Sequence, residues 1–389
     1  MRILFVEHTS RVSGGQHSLL ELIRSLDREH DVALACPPGE LEGLARRLGA
    51  SVLEIPESQI SFKFHPRHSV GAMMRTLAAA RHLSRLIRSV RPSVVHANSV
   101  RAGLIAILAA RRRVPLVVHC RDVLPRGFLG RAVRAVVLSR SDRVVAISRH
   151  VAETFAGPDW TARGVRVVDN AVDVRRFGPK LMSPSSARAA VGVRDEPVLS
   201  VIAQLTPWKG QDLAIRVLAE LRAVLPTALL LLVGEAKFVS KTTRYDNRAF
   251  ERDLRALAQD LLLGDRVRFL GERRDPERVL AATDVLLVPS IEEPFGRTII
   301  EAMAMGVPVA AASVGGPSEI VREGTDGRLV DGRDPAQWAS VVHELLDWPL
   351  ERRKAASAKA AARFSPARHA GIMLEVYGEA VMRAPRGPR

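Results

Sequence analysis

Short apolar runs alternate with longer amphipathic stretches along the whole chain. Runs rich in Val, Ile and Leu predict buried strands, and the stretches between them have helical periodicity. Such alternation is typical of an α/β protein with parallel sheets. The predicted strands form two sets of five, at 2–6, 31–36, 93–97, 115–119 and 143–147, and at 197–203, 228–234, 266–271, 284–290 and 308–311.

The length of the chain favours two domains rather than one. A single hydrophobic core rarely serves 389 residues, and the Pro- and Ser-containing segment 179–190 is a suitable boundary. No apolar run approaches the ~20 residues that span a bilayer. The opening MRILFV is too short for a signal peptide and predicts a buried strand. Cys36 and Cys120 do not form a metal or redox motif, so we expect a cytoplasmic protein.

The chain is strongly basic, with a formal net charge of +16 that comes mostly from arginine. Arg81, Arg85, Arg88 and Arg91 recur at helical spacing, and 111–113 is a run of three arginines. A basic N-terminal domain could contact an anionic membrane as a peripheral partner, whereas a solvated helix face is the simpler explanation. Aromatic residues make up 4% of the chain and no recognition motif is present, so we expect no nucleic-acid partner.

The segment EPFGRTIIE at 293–301 carries the clearest chemical signal. Pro294 and Gly296 exclude a regular helix at its start, so Glu293 is expected on a loop. A helix is predicted from about Thr298 to the glycine after Met305, which places Glu301 in its first turn. Free amides at a helix start attract phosphate, and a nearby carboxylate can bind a ribose diol. The pattern therefore predicts a nucleotide-sugar site.

EPFGRTIIE, followed by AMAMGVPV, resembles the E-x7-E signature of the GT4 family of retaining glycosyltransferases. The resemblance covers nearly the whole chain, including an interdomain segment at 169–179 and a final helix within 364–380. It implies the GT-B fold, in which two Rossmann-like parallel-sheet domains face a central cleft. The implied acceptor domain is 1–178, completed by a helix at about 366–382, and the implied donor domain is 179–365.

Four residues of the first half are candidates for binding the donor or the acceptor. Gly14 and Gly15 stand in a turn that resembles the family's glycine loop, which approaches the donor diphosphate. His119 ends a predicted strand and resembles the histidine that contacts the transferred sugar. His96 ends the preceding strand and is a candidate for the acceptor cleft. A tight turn and structural histidines are the alternative readings.

The segment AQLTPWKGQD at 203–212 resembles the family's G-R-L-x3-K-G motif, whose Arg and Lys serve the diphosphate. Lys209 matches that motif, and an ammonium there can neutralise a leaving diphosphate. Gln204 replaces the usual arginine, and a neutral amide supplies no charge. Three explanations are open: another arginine compensates, the donor differs, or the enzyme is slow or inactive.

The resemblance implies transfer of a sugar from a nucleoside diphosphate sugar to an acceptor hydroxyl, with retention of configuration. The leaving phosphate deprotonates the acceptor, and the protein supplies positioning and charge. The implied donor contacts are Glu293, Phe295 and Gly296 for the sugar, Glu301 for the ribose, Thr298 for the phosphates, and Lys209 with Gln204 for the leaving group. We expect no cofactor and no metal, since no D-x-D motif ends a strand.

Two other functions are compatible with the same architecture. A nucleotide-sugar epimerase shares the GT-B fold, and the PFG-containing motif weighs against it. A sugar-nucleotide-binding protein with a weakened site would explain Gln204. A dinucleotide oxidoreductase is disfavoured, because no G-x-G-x-x-G follows the first strand.

Overall fold

The computed structural model describes residues 1–26, 29–58, 66–110, 113–237 and 245–383, and of 66–70 the backbone only. The chain forms two compact units. The first comprises Met1–Ala171 and the C-terminal segment from Pro366, and the second is Val172–Ser365. The first boundary falls inside the segment 169–179. Each unit is built on one parallel sheet, so the predicted α/β fold with two Rossmann-like domains is confirmed.

The first unit contains seven strands and seven helices in its described part. The strands are β1 (Arg2–Val6), β2 (Asp31–Cys36), β3 (Ser51–Glu54), β4 (Val94–Ala97), β5 (Leu116–Cys120), β6 (Arg143–Ala146) and β7 (Val165–Val167). The helices are α1 (Gly14–Ser25), α2 (Glu40–Arg47), α3 (Pro66–Val90), α4 (Val100–Ala110), α5 (Phe128–Arg140), α6 (Arg149–Ala156) and, from the C-terminal segment, α15 (Pro366–Arg383). The sheet order is β3-β2-β1-β4-β5-β6-β7.

The second unit has the same plan. Its strands are β8 (Val198–Ile202), β9 (Leu229–Val233), β10 (Val267–Gly271), β11 (Val285–Val288), β12 (Val309–Ala312) and β13 (Gly327–Val330). Its α-helices are α7 (Pro184–Ala190), α8 (Gln211–Leu221), α9 (Asn247–Asp260), α10 (Pro276–Ala281), α11 (Arg297–Met305), α12 (Pro317–Ile320), α13 (Pro335–Leu346) and α14 (Leu350–Arg363). The sheet order is β10-β9-β8-β11-β12-β13.

Burial on both faces of each sheet explains the apolar runs of the sequence. All five residues of β5 and of β9 are buried, as expected for parallel strands covered by helices on both sides. All ten predicted strands are present, with their ends shifted by a residue or two. Three strands were not predicted: β3, β7 and β13. They are three or four residues long and lie at sheet edges, where a strand needs no continuous apolar run.

Each sheet contains one point where the direction of strand addition reverses. In the first unit β1 lies between β2 and β4, and in the second unit β8 lies between β9 and β11. The loops that leave the carboxyl ends of such neighbours diverge, and open α/β sheets bind their ligands in the crevice between them. The fold therefore marks one crevice beside β1 and β4 and another beside β8 and β11.

The C-terminal helix α15 packs against the sheet of the first unit. The hydroxyl of Tyr377 lies 2.6 Å from Nδ1 of His96 on β4. Nε of Arg143 on β6 donates to Glu379 at 2.7 Å. These contacts explain why a segment so distant in sequence belongs to the first unit. Among the described residues, no helix is long and apolar enough to span a membrane.

Candidate functional site

Lys209 and Glu293 meet at the carboxyl edge of the second sheet. Lys209 lies on the loop after β8 and Glu293 on the loop after β11, and these two strands are neighbours. Lys209 Nζ lies 2.5 Å from Glu293 Oε2, and the hydroxyl of Ser290 donates to the same oxygen at 3.2 Å. Both side chains are largely buried, with 16% and 10% exposed. The structure thus joins two residues that the sequence indicated separately.

The local backbone holds Lys209 in place. A single 3₁₀ turn, Pro207–Lys209, ends at Gly210, whose φ of 73° is in the left-handed region. A Cβ on Gly210 would lie 2.0 Å from the carbonyl oxygen of Pro289, so only glycine fits there. The ammonium of Lys209 also lies 4.1 Å from the centre of the Trp208 ring, a favourable cation–π position.

The Pro-Phe-Gly loop is anchored from the opposite side by a second glycine. Gly316 donates its N–H to the carbonyl of Glu293 at 2.8 Å, and a Cβ on Gly316 would lie 2.4 Å from the backbone of Phe295. Phe295 itself is buried and meets Phe364 edge-on at 6.4 Å. Gly296 has a φ of 101° and turns the chain into α11. The loop carrying Glu293 is therefore fixed by packing.

Helix α11 begins one residue earlier than predicted, and this corrects the position of Glu301. The backbone enters the helix directly after Gly296, so Arg297 is its first residue and Thr298 its second. The first turn contains no acidic residue, and Glu301 opens the second turn. Glu301 is 7% exposed and accepts a hydrogen bond from Arg297 at 3.0 Å. Arg297 was not among the predicted site residues, although this arginine directly follows the PFG of the motif.

Gln204 lies on the loop after β8, where the backbone is tightly packed. Its carbonyl accepts from the side chain of Gln211 at 2.9 Å. Gly234 approaches so closely that a Cβ would lie 2.0 Å from the carbonyl oxygen of Ala203. The glycine at the end of β9 is thus required by close approach, and its φ of 142° excludes most other residues.

A further arginine lies beside this loop. Arg333 Nη1 would be 3.3 Å from a Cβ on Gly210 and donates to the carbonyl of Pro289 at 3.3 Å. Its Nη2 donates to Asp212 at 2.8 Å. Arg333 is thus a neighbour of the Lys209 turn, and no local pattern around it indicated this.

In the first unit His96 and His119 are completely buried and lie side by side, with ring centres 5.3 Å apart. Burial, and then the nearby Arg121 guanidinium, hold the pKa of each well below the usual value. Arg121 approaches Nδ1 of His119 at 3.3 Å. Because a guanidinium only donates, Nε2 of a neutral His119 carries the proton. That Nε2 has no hydrogen-bond partner among the described residues. The predicted sugar contact of His119 and the acceptor role of His96 stay predictions.

Gly14 and Gly15 are the first two residues of α1, after the N-cap Ser13. A Cβ on Gly15 would lie 3.1 Å from the Cδ of Arg121, so a larger residue would crowd this arginine. The carbonyl of Gly15 accepts from Asn98 at 3.3 Å. The predicted approach of this turn to a diphosphate stays a prediction.

Arg121 lies beside the Gly14–Gly15 turn and bonds to residues that follow β4 and β7. It was not among the predicted site residues. It is 8% exposed and donates to the Asn98 side chain at 3.0 Å and to Asn170 at 2.9 Å. No family pattern singled out Arg121, although it directly follows β5, at the edge where open α/β sheets bind ligands.

The described residues contain no cluster of three or more His, Cys, Asp and Glu side chains that could hold a metal ion. The two cysteines are free and buried. Burial raises the pKa of the Cys36 thiol to about 12 and raises that of Cys120 as well. Both thiols are therefore unreactive near neutral pH.

Family models match both halves of the chain. The model described as "Glycosyl transferases group 1" matches residues 186–363, and the model described as "Glycosyltransferase Family 4" matches residues 12–176.

Two curated relatives illustrate the similarity in sequence. A D-inositol 3-phosphate glycosyltransferase of Xylanimonas cellulosilytica is 35% identical over 317 residues, which cover 75% of this chain and 73% of the relative. One from Mycobacterium sp. (strain JLS) is 33% identical over 305 residues, 74% of this chain and 66% of the relative. The chain thus spans slightly less than two thirds of the length of the Mycobacterium relative.

Solved structures share the fold over nearly the whole chain. Anabaena HepE in complex with UDP and glucose superposes with a TM-score of 0.82 at 25% identity, covering 97% of this chain and 99% of that one. Sucrose-phosphate synthase from Thermosynechococcus elongatus gives 0.78 at 21% identity, covering 97% and 98%. With its strand order and its two family matches, the chain belongs to the group 1 glycosyltransferases of family 4, with the GT-B fold.

Proposed function

We propose that this protein transfers a sugar from a nucleoside diphosphate sugar to an acceptor hydroxyl, with retention of configuration. The observation that carries the proposal is the meeting of Lys209 and Glu293 beside the start of α11. A cation, a carboxylate and the N-terminus of a helix stand together at the ligand-binding edge of a parallel sheet. The cation and the helix N-terminus suit the diphosphate of a donor, and the carboxylate suits the hydroxyl groups of its sugar.

Lys209 serves the leaving diphosphate in this proposal. Breaking the sugar–phosphate bond increases negative charge on the phosphate oxygen, and an ammonium held in a mostly buried position stabilises that charge strongly. Its present partner Glu293 keeps the ammonium oriented while no donor is bound. When the donor binds, Lys209 can donate to a phosphate oxygen while Glu293 accepts from the sugar hydroxyls, because an ammonium has three donors.

The nucleoside half of the donor belongs to α11. Glu301 is held by Arg297 with one oxygen, and its carboxylate retains acceptor capacity for the two ribose hydroxyls. Thr298 lies in the first turn of this helix, where the helix dipole favours a phosphate. Phe295 and Gly296 supply backbone groups toward the sugar.

The chemistry requires no covalent intermediate and no metal in this account. The proton of the acceptor hydroxyl passes to the leaving phosphate on the face that the phosphate leaves. Arg333 supplies the second positive charge that Gln204 does not, since it lies against Gly210 and the carbonyl of Pro289. Of the three explanations for Gln204, compensation by another arginine has this structural support.

A peripheral contact with an anionic membrane is a further part of the proposal. Residues 58–121 contain no aspartate or glutamate, although they contain many arginines. Arg81, Arg85, Arg88 and Arg113 line a groove of about 340 Å³ on the first unit, together with Leu77, Ala80, Ser84 and Leu108. Arg111 and Arg112 of the predicted basic run lie outside the described residues. An arginine-lined groove with an apolar floor suits an anionic headgroup and its first methylene groups.

Exposed apolar side chains accompany these arginines. Helix α4 packs against both α3 and α5. These three helices expose Met73, Met74, Leu77, Leu108, Phe128, Leu129 and Val136, of which Phe128 is 80% exposed. Exposed apolar residues beside basic ones are typical of surfaces that lie on membranes.

The proposed activity predicts a specific pattern with nucleotide sugars. Incubation with a panel of donors and no acceptor should give slow release of free sugar from one of them, and excess EDTA should leave the rate unchanged. Chromatography of nucleotide and sugar products measures both. Conversion of the donor into an epimer would identify an epimerase, and an intact donor would identify a binding protein. Loss of activity in EDTA that magnesium or manganese restores would contradict the metal-free mechanism.

The two glutamates should differ in effect. Glu301→Ala should weaken binding of UDP, the nucleotide in Anabaena HepE, by about 1.5–3 kcal/mol, because a charged hydrogen-bonding partner of the ribose is lost. Glu293→Ala should leave UDP binding unchanged and abolish transfer. Glu292→Ala, which changes the adjacent carboxylate, is the matched control for titration calorimetry with UDP. Equal loss of UDP binding in the Glu301 and Glu293 variants would show that these roles are assigned wrongly.

Replacing Lys209 and Arg333 should show whether Arg333 compensates for the charge that Gln204 lacks or whether the diphosphate site is weakened. Lys209→Met should nearly abolish turnover, since the charge on the leaving diphosphate loses its nearest cation. If Arg333 compensates, Arg333→Met should lower turnover and Gln204→Arg should restore it in that background, because arginine adds a fixed, bidentate charge. Steady-state kinetics with the hydrolysed donor measures each variant. Unchanged turnover in Arg333→Met would remove Arg333 from the site, and near-normal turnover in Lys209→Met would place the phosphate site elsewhere.

Binding to an anionic membrane should depend on the arginines that line the groove of the first unit. Arg81→Glu with Arg85→Glu should lower affinity for phosphatidylglycerol-containing vesicles by roughly thirtyfold or more, at about 1 kcal/mol per arginine near an anionic surface. Arg248→Glu with Arg252→Glu on α9 is the matched control, with the same spacing and the same charge change. Vesicle sedimentation is the measurement. Equal binding by both double variants would exclude the groove, and no binding by the parent protein would exclude the membrane contact.

A further inference from the structure

A second group of polar residues occupies the crevice of the first sheet. Glu7 and His8 directly follow β1, and Asn98 and Ser99 directly follow β4. The two strands are hydrogen-bonded neighbours, with Val6 opposite Ala97. Since the chain leaves them in diverging directions, these four residues border the position where such sheets bind ligands. The family resemblance singled out none of them.

Glu7 is fully buried, and both of its carboxylate oxygens are engaged. Oε1 accepts from the backbone N–H of His8 at 2.8 Å and lies 2.6 Å from the Nδ1 of the same residue. Oε2 accepts from Asn98 at 2.7 Å and from Gln16 at 3.1 Å. Burial raises the pKa of Glu7, but the hydrogen bonds from His8 and Asn98 outweigh this, so the pKa lies below the usual value. Glu7 is therefore an ionised carboxylate that its hydrogen bonds hold in one orientation.

This carboxylate determines which nitrogen of His8 carries the proton. An ionised carboxylate only accepts hydrogen bonds, so Nδ1 of His8 must be the donor. The hydroxyl of Ser99 lies 3.1 Å from the same nitrogen and confines the ring from the other side. In the neutral ring, Nε2 then carries a lone pair.

The Nε2 of His8 is available to a ligand. The side chain is 14% exposed, and the ring makes its hydrogen bonds to the described residues Glu7 and Ser99 through Nδ1. A ring fixed by a carboxylate at Nδ1, with its other nitrogen open, is the arrangement by which proteins position a histidine against a substrate.

We propose that Nε2 of His8 accepts a hydrogen bond from a hydroxyl of the sugar acceptor other than the one that reacts. This inference rests on the proposed transfer function and assigns to the acceptor the chemistry of a polyol. Glu7 and Asn98 are positioning residues. In the transfer, the bond from the anomeric carbon to the leaving phosphate breaks and the acceptor oxygen forms the new bond. The proton of the reacting hydroxyl passes to the phosphate, so His8 gains no proton.

The test compares His8→Ala with His82→Ala, which removes an exposed imidazole from α3 outside this crevice. The acceptor probes are D-inositol 3-phosphate, myo-inositol and glucose. His8→Ala should lower kcat/KM for the acceptor by roughly tenfold, the effect of one lost hydrogen bond, and leave the Kd for UDP unchanged. His82→Ala should match the parent protein in both measurements.

Deoxy analogues of the acceptor that reacts make the assignment specific. The analogue lacking the hydroxyl that His8 binds should react equally well with the parent and with His8→Ala, because the hydrogen bond is absent in both. A twofold or smaller effect of His8→Ala on the intact acceptor would overturn the inference, as would a tenfold effect that persists with every deoxy analogue. A parent protein that hydrolyses a donor and transfers to none of these polyols would overturn the inference alone. A parent protein that neither transfers nor hydrolyses sugar would overturn the proposed function itself.

Discussion

Both crevices exist because the strand order reverses beside β1 in the first sheet and beside β8 in the second. A parallel sheet needs long crossover connections, and all its loops at one edge leave from carboxyl ends. Only at the reversal do neighbouring loops diverge and leave a crevice. Lys209 and Glu293 meet beside β8 and β11, and Glu7 and Asn98 meet beside β1 and β4. The polar chemistry of each unit is therefore placed by topology.

The two crevices differ in how they hold charge. In the second unit, Lys209–Glu293 and Arg297–Glu301 are ion pairs between side chains that are mostly buried, next to a helix start. Such pairs are costly to break and keep both partners in one geometry before a ligand arrives. In the first unit, Glu7 is buried among amide donors and a histidine, while burial and Arg121 keep His96 and His119 neutral. The second crevice suits an anionic ligand and the first suits hydroxyl groups.

Close approach of backbone determines several glycines that hold this chemistry. Gly210 packs on Pro289, Gly234 on Ala203 and Gly316 on Phe295, each at a distance that no Cβ could occupy. These contacts bring the loops after β8, β9, β11 and β12 together into one edge. The positions of Lys209 and Glu293 thus depend on these three glycines, whose lack of a Cβ lets the loops pack closely.

Local sequence patterns were enough to predict the α/β class, ten of the thirteen described strands, the loop carrying Glu293 and the glycine that ends α11. Those features follow from local periodicity, Pro and Gly punctuation, and burial on both faces. Glu301 was predicted in the first turn and lies one residue further into the helix, because Gly296 with its left-handed φ is the N-cap and Arg297 is the first helical residue. The same patterns did not predict the edge strands β3, β7 and β13, which have no continuous apolar run. Only the tertiary structure paired Lys209 with Glu293, brought Arg333 to Gly210, and joined Glu7 to Asn98. Each of these contacts joins residues about 80 or more positions apart, and local patterning does not encode such distances.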